Sequence, residues 1–539
     1  MTIDIKRTDG TGQTTFTYYA NDGFESVDGP LAGDKITYHY NALRNLIDIT
    51  PEQGQTVTYQ YDYDTGIVDI DLGRLKSITT GSQMYTYDYA GVSPLMQKIT
   101  RPNGSYTEYE YNDPLKRLTA LINKASTGSL INSFAYTYEK DLIKTETVTN
   151  GTIIDNFLEK TSAYVPNAVN QLVSATTAPN PAKVYAYDDD GNMTTGYTPA
   201  DIALSMTYDA ENRLKTAQYN DDASHLFQYS YGGNNLLSEV IKDSSITKYL
   251  RSGFLPIQER GNSNAITREY TWGKNLGGGI GGLLGLRQYD QNGQNGRDYS
   301  YLYDGKGNVS ALINGDQQVV ASYAYDPFGL IMKQSGIDQP YTFSTKEAQA
   351  GTGQYYYGYR FYDSCSGKWT TRDPLEEEGG LNLYGFVGNN ALQWIDPSGQ
   401  DAIVVNYRGY PVNTGYGFTL PLGHGAVIAV EPDTGTTKYY EYGRYDSDFG
   451  QVKQRPVPNV VIGEDGAPTA ESLEILYDYI SAHYGKQRSV EATYYKDADY
   501  QEVIDFAVKR MNDKKRKPYH LLMNNCTRFA RDAANAGRD

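Results

Sequence analysis

Cysteine is almost missing from this chain: 539 residues contain two, Cys365 and Cys526. That excludes a disulfide framework, and a chain of this length has core enough without one. Long apolar runs are missing as well. None reaches the roughly 20 residues that cross a bilayer, so no membrane span is expected. The opening stretch, MTIDIKRTDGTGQTTFTYY, has no apolar centre of the signal-peptide kind, which argues against export by a cleavable signal. Basic residues are in deficit, 48 against 65 acidic ones, for a net charge of −17. A general nucleic-acid binder needs the opposite balance, so no nucleic-acid partner is expected. One basic run, Lys509 to Lys517 with six Lys or Arg, reads as a solvated helix end. Histidines are five and scattered, without the spacing of a zinc site, so neither metal nor cofactor is expected.

What is abundant is tyrosine and glycine. There are 52 Tyr against 14 Phe, and 54 Gly. Tyrosine favours strands and glycine favours turns, which points to an extended all-β body. A short motif, aromatic–any–aromatic–Asp/Asn, recurs through residues 1–354. It stands at Tyr38-His39-Tyr40-Asn41, Tyr59-Gln60-Tyr61-Asp62, Tyr85-Thr86-Tyr87-Asp88 and Tyr109-Glu110-Tyr111-Asn112, then at Tyr185-Ala186-Tyr187-Asp188, Tyr301-Leu302-Tyr303-Asp304 and Tyr323-Ala324-Tyr325-Asp326. The second aromatics of the first four lie 21, 26 and 24 residues apart, a period that marks an array of small units. Tyrosines at i and i+2 share one face of a strand. The Asp or Asn opens a turn, and pairs such as Arg74-Leu75 and Arg213-Leu214 begin the return strand. The expected product is a ladder of stacked hairpins. The pattern is already running at the first residues, as expected of a segment of a longer chain. The run 277–282, Gly-Gly-Gly-Ile-Gly-Gly, lacks the Lys-Ser/Thr of a phosphate loop and reads as close backbone packing.

Between residues 355 and 400 the chain changes character. Arg360-Phe361-Tyr362-Asp363, Arg372-Asp373-Pro374, Gly380-Leu381-Asn382-Leu383-Tyr384, Asn389-Asn390 and Asp396-Pro397-Ser398-Gly399 follow one another in this order. This stretch resembles the core segment of Rhs and YD-repeat proteins. The resemblance implies a β-shell, a hairpin solenoid or cocoon, closed around a variable C-terminal toxin. It also implies an aspartyl autoprotease at residues 355–400. Asp373 and Asp396 are the candidate carboxylates, sharing a proton so that one acts as base and the other as acid. Arg372 is the candidate to hold one of them charged, and the cut is expected at Gly399 or Gln400. The sequence departs from the family at Asp363-Ser364-Cys365 and Asn390-Ala391, where Pro is usual, and at Gln400, where Leu is usual. The alternative is that both aspartates only cap turns. Cys365 reads as a buried or incidental thiol.

From Asp401 to Asp539 the periodicity is mixed. Strands are expected at 402–407, 425–431 and 437–442, the last two joined as a hairpin by Pro432-Asp433-Thr434-Gly435. Helices are expected at 470–484, with Leu473, Leu476, Tyr477 and Ile480 inward, at 500–511, and at about 526–536. Cys526 begins that last helix, where unpaired N–H groups favour a thiolate. His424 stands at the mouth of a strand and is the candidate base, and Glu441, or else Tyr439, is the candidate to orient its ring. Gly-His-Gly-Ala-Val-Ile followed by Asn-Asn-Cys-Thr-Arg-Phe resembles permuted papain-like enzymes, the permuted NlpC-type amidases and lecithin–retinol acyltransferase-like proteins. That resemblance implies a small α+β papain-like domain with Cys526 as nucleophile and His424 as base.

The combined expectation is a multidomain toxin, made in the cytoplasm and delivered into target cells by type VI secretion or similar machinery. Its partners would be a cognate immunity protein and a target-cell protein or peptidoglycan substrate. The reaction would be cysteine-dependent hydrolysis of an amide or peptide. The alternatives are an acyltransferase or deamidase on the same Cys–His pair, and a non-enzymatic surface adhesion or sugar-binding repeat protein.

Overall fold

The computed structural model describes residues 2–396 apart from short stretches, the longest being 63–72 and 153–161. Beyond them it describes strands between 405 and 455, residue 480 and the pair 490–491. The chain divides into two compact units, one of Met1–Glu377 with Leu381–Asp401, the other of Glu378–Gly380 with Ala402–Asp539.

The first unit is built from meanders. Among the described residues, thirteen strands from Thr2–Lys6 to Leu142–Thr149 form one sheet, and fourteen from Ala186–Tyr187 to Ile331–Gly336 form another. In both, each strand pairs antiparallel with its neighbours in sequence, for example Tyr301↔Leu312 and Ala321↔Gly336. Three strands, Ser162–Pro166, Leu172–Thr177 and Lys183–Val184, form a small sheet between them in sequence. The two long sheets share a core. Ile36, Tyr38 and Ile49 of the first pack with Tyr270, Trp272, Leu286 and Tyr301 of the second. Buried cations fasten the same seam: Arg260 donates to the carbonyls of Ala32 and Gly33, and Arg101 to that of Tyr301.

Each repeat does what its residues dictate, with one addition. The motif aspartate folds the turn onto itself: Asp304 Oδ1 accepts from the N–H groups of Lys306 and Asn308, both at 2.9 Å. Asp188, Asp209 and Asp326 accept in the same way. The addition is a β-bulge at the tyrosine that ends the strand. The register shifts between Gln60 and Tyr61, Asp88 and Tyr89, Ser230 and Tyr231, Leu302 and Tyr303, and Ala324 and Tyr325. A bulge bends and twists the strand and re-aims the side chain. Here the hydroxyl reaches back one unit to a backbone carbonyl: Tyr61 to Leu46 (2.9 Å), Tyr89 to Leu75 (2.6 Å), Tyr231 to Leu214 (2.8 Å) and Tyr325 to Val309 (2.8 Å). Arginines at the start of return strands complete the device. Arg74 pairs with Asp62 and lies over Tyr89, and Arg213 pairs with Asp209 and lies over Tyr231. Tyrosine outnumbers phenylalanine because the ring is buried while the hydroxyl does specific work at its far end.

The glycine run packs closely, as its composition implies. Gly279 has φ +92°, and a Cβ there would lie 2.6 Å from Leu255 and 3.0 Å from Trp272. In the second unit, five described strands form one antiparallel sheet in the order 451–455, 437–443, 425–430, 405–407, 490–491. The expected hairpin is present, with Ala426 opposite Glu441 and Val430 opposite Thr437. Of the segment 470–484, Ile480 is described; it is helical and fully buried.

Candidate functional site

After the fourteen-stranded sheet the chain makes a tight turn at Phe343–Thr345, with Ser344 and Thr345 at φ 49° and 50°. Neither is glycine, so each conformation costs on the order of 1 kcal/mol or more and persists only where its surroundings enforce it. They do. Ser344 N–H donates to Asn308 Oδ1, Thr345 Oγ1 to the Gly307 carbonyl, and Gly281 N–H to Thr345 Oγ1. The glycine run is thus the wall against which this turn is pressed. Four short strands follow, Glu347–Ala348, Gln354–Tyr356, Phe361–Asp363 and Lys368–Trp369. Their aromatic residues interlock with Phe343 and Phe386, and Tyr362 and Phe386 are 4.1 Å apart at the ring centres.

Inside this aromatic block sits a charged cluster. Arg360 lies with its guanidinium 4.1 Å over the ring of Trp369. Its Nη2 is 2.8 Å from Asp373 Oδ2 and 3.8 Å from Asp396 Oδ2. All three side chains are at most 3% exposed. One nitrogen therefore brings together two carboxylates that are 23 positions apart in the chain. The structure corrects the choice of cation: Arg372 is exposed, and Arg360 is the arginine at the carboxylates. The reason is local. Along 371–374 the residues alternate buried, exposed, buried, exposed, so that Asp373 points inward and its neighbour Arg372 outward. The expected cleavage residues, Gly399 and Gln400, lie outside the described residues.

A third carboxyl is close to Arg360 in sequence. Asp363 is buried and closes the turn 363–367, accepting from Cys365 N–H at 3.0 Å while its carbonyl accepts from Gly367 N–H. Burial pushes its carboxyl up to about 6, against the opposing pull of its bonds to Ser366 and Cys365. Cys365 is free and half-buried, and burial with the neighbouring Asp363 charge pushes its thiol well up. A thiol so shifted is inert as a nucleophile.

In the second unit, Glu441 is described and buried. Its Oε1 accepts from Arg455 Nε at 2.7 Å, and Tyr439 donates to its Oε2 at 3.5 Å. The two candidates for orienting an imidazole thus belong to one network, centred on Glu441 and fixed by an arginine that the sequence did not flag. Cys526 and His424 lie outside the described residues, as do the helices expected at 500–511 and 526–536.

Residues 412–539 match the family described as type VI secretion system effector TseH-like. The C-terminal domain is TseH-like. The chain is 26% identical over 70% of its length to the tRNA3(Ser)-specific nuclease WapA of Bacillus spizizenii, and 40% identical over 16% of its length to toxin subunit YenC2 of Yersinia entomophaga. It spans 16% and 10% of those relatives. Among solved structures, the TcdB2-TccC3-Cdc42 crystal structure is similar at TM-score 0.50 and 18% identity, over 72% of this chain and 23% of that one. The long antiparallel sheets match the fold of Rhs-type shell proteins, and the two relatives named are a nuclease and a toxin subunit. Among the described residues no helix is long and apolar enough to cross a membrane.

Proposed function

We propose that this protein is an Rhs-type toxin that carries, behind a self-cutting junction, a TseH-like cysteine hydrolase. The observation that carries this reading is the order of parts: an Rhs-type β-body, a buried Asp–Arg–Asp cluster, then a TseH-like effector domain from residue 412. At the junction, Asp373 and Asp396 activate water against the backbone near Gly399 and Gln400, one as base and one as acid. Arg360 holds the pair and limits the proton count. In the C-terminal domain, Cys526 attacks an amide carbonyl as thiolate, His424 takes and returns the proton, and Glu441 orients the imidazole. An acyl-enzyme forms and water releases it. The substrate is a target-cell protein or peptidoglycan amide, delivery is by type VI secretion or related machinery, and a cognate immunity protein protects the producer.

The test is expression of the full chain and of residues 401–539 in bacterial cytosol and periplasm, with and without Cys526→Ala. Loss of growth in one compartment that Cys526→Ala abolishes supports the hydrolase. Equal harmlessness of wild type and variant in both compartments removes it.

A further inference from the structure

Lys346 follows directly on the strained turn, and it is buried. Its Nζ donates to the Gly278 carbonyl at 2.8 Å and lies 4.9 Å from the ring centre of Tyr357. Tyr357 meets Trp369 edge to face at 5.1 Å, and Trp369 is the ring beneath Arg360. Tyr357 N–H also donates to the Arg360 carbonyl. One path of direct contacts therefore joins Lys346 to the guanidinium that holds Asp373 and Asp396. Among the described residues the charged groups around Lys346 are few. The charge of Asp396 is felt at its amine, and Tyr357 supplies a phenol beside it. The adjacent Glu347 is engaged by Arg251 at 3.0 Å, and the glycine wall presents a backbone carbonyl. Burial pushes the amine down to about 7, with Asp396 opposing. A long cationic side chain is seldom placed in such a setting for stability alone.

We propose that Lys346 is a positioning residue of the junction, storing on its amine the single proton that the Asp373–Asp396 pair uses. This rests on the self-cutting reading above. An aspartate pair needs one proton, and Arg360 cannot give one because it stays charged. The exchange balances: an N–H bond of the Lys346 ammonium breaks, an O–H bond on Asp396 forms, and the ion pair becomes a neutral amine and a neutral acid. Water then loses a proton to the ionised Asp373 as its oxygen bonds to the scissile carbonyl carbon. Asp396 gives its proton to the departing amide nitrogen as the C–N bond breaks. The site ends with as many protons as it began, and Lys346 recovers its own from Asp373.

The experiment is the rate of fragment formation from the full chain between pH 5 and 9, by denaturing gel, for wild type, Asp373→Asn, Lys346→Met and Lys346→Arg. The wild-type rate falls as pH rises through neutrality, where the stored proton is lost. In Lys346→Met the proton is held by carboxyls alone, and Lys346→Arg keeps a cation that gives up no proton. Both move the falling limb to lower pH by about one unit or more. If either variant cleaves with its limb where the wild type has it, Lys346 is packing only and the proposal is overturned, whatever the absolute rate. If Lys346→Met does not fold, Lys346→Arg decides. If wild type stays intact at every pH, the self-cutting reading falls and this proposal with it. Cleavage that Asp373→Asn stops, with both Lys346 variants unshifted, overturns only the role of Lys346.

Discussion

The repeat wall and the junction use one arrangement at two depths. In the wall, Arg213 pairs with Asp209 and lies 4.6 Å over Tyr231, with the two charged side chains 13% and 24% exposed. In the junction, Arg360 pairs with Asp373 and lies 4.1 Å over Trp369, with the two 1% and 3% exposed, and a second carboxylate is drawn in. Water screens the first pair, so it is a modest clasp, used also at Arg74 and Arg117. The second has lost its water, and its attraction must offset several kcal/mol of desolvation per ion. A fold that already owns a cheap version keeps the costly one where chemistry is wanted, which is why the buried copy is the candidate site.

This contrast can be broken experimentally. The largest effect is expected at Arg360. Arg360→Ala takes the cation from two buried carboxylates and costs about 3–5 kcal/mol, against about 1 kcal/mol or less for Arg213→Ala, read from urea-unfolding midpoints. Equal losses would erase the distinction. Next is Asp363. Its carboxyl is raised to about 6 in the fold, so folding favours the protonated form. That stability is complete below the unfolded value near 4 and is lost as pH rises through 6, an amount of about 3 kcal/mol. Asp363→Asn removes this fall, so the variant and wild type converge at low pH and separate above pH 6, with the variant the more stable. Gly279→Ala follows, at about 1–3 kcal/mol, because the added carbon meets Leu255 and Trp272 in the wall behind the Phe343–Thr345 turn. The smallest is Tyr325→Phe, which removes one hydroxyl clasp to Val309 and costs about 1 kcal/mol in thermal or urea unfolding.

How much of this was legible in the sequence follows from the range of each interaction. The hairpin ladder was, because Tyr-x-Tyr-Asp and its turn are complete within a few residues, as at Tyr303-Asp304 and Asn308. The bulge at the strand-ending tyrosine was not, since strict alternation leaves no mark of an inserted residue. Asp373 and Asp396 were candidates by family likeness, and the structure places both against one nitrogen. The choice of Arg372 failed because neighbours in an extended chain face opposite sides. Arg360 stood in the quoted motif, yet nothing local said that 13 residues later its partner would arrive. Lys346 carried no signal at all; its burial depends on the turn before it and on a glycine wall almost 70 positions upstream.

The backward reach of these strand-ending tyrosines has a consequence for how such a wall changes over generations. Panels such as those ending at Tyr61, Tyr89, Tyr231 and Tyr325 are latched to the one before and set their register at their own kink. Duplicating or losing whole panels by recombination leaves those on either side as they were. Length can drift with little harm, while the block that carries Arg360 and its two acids has no spare copy among the described residues.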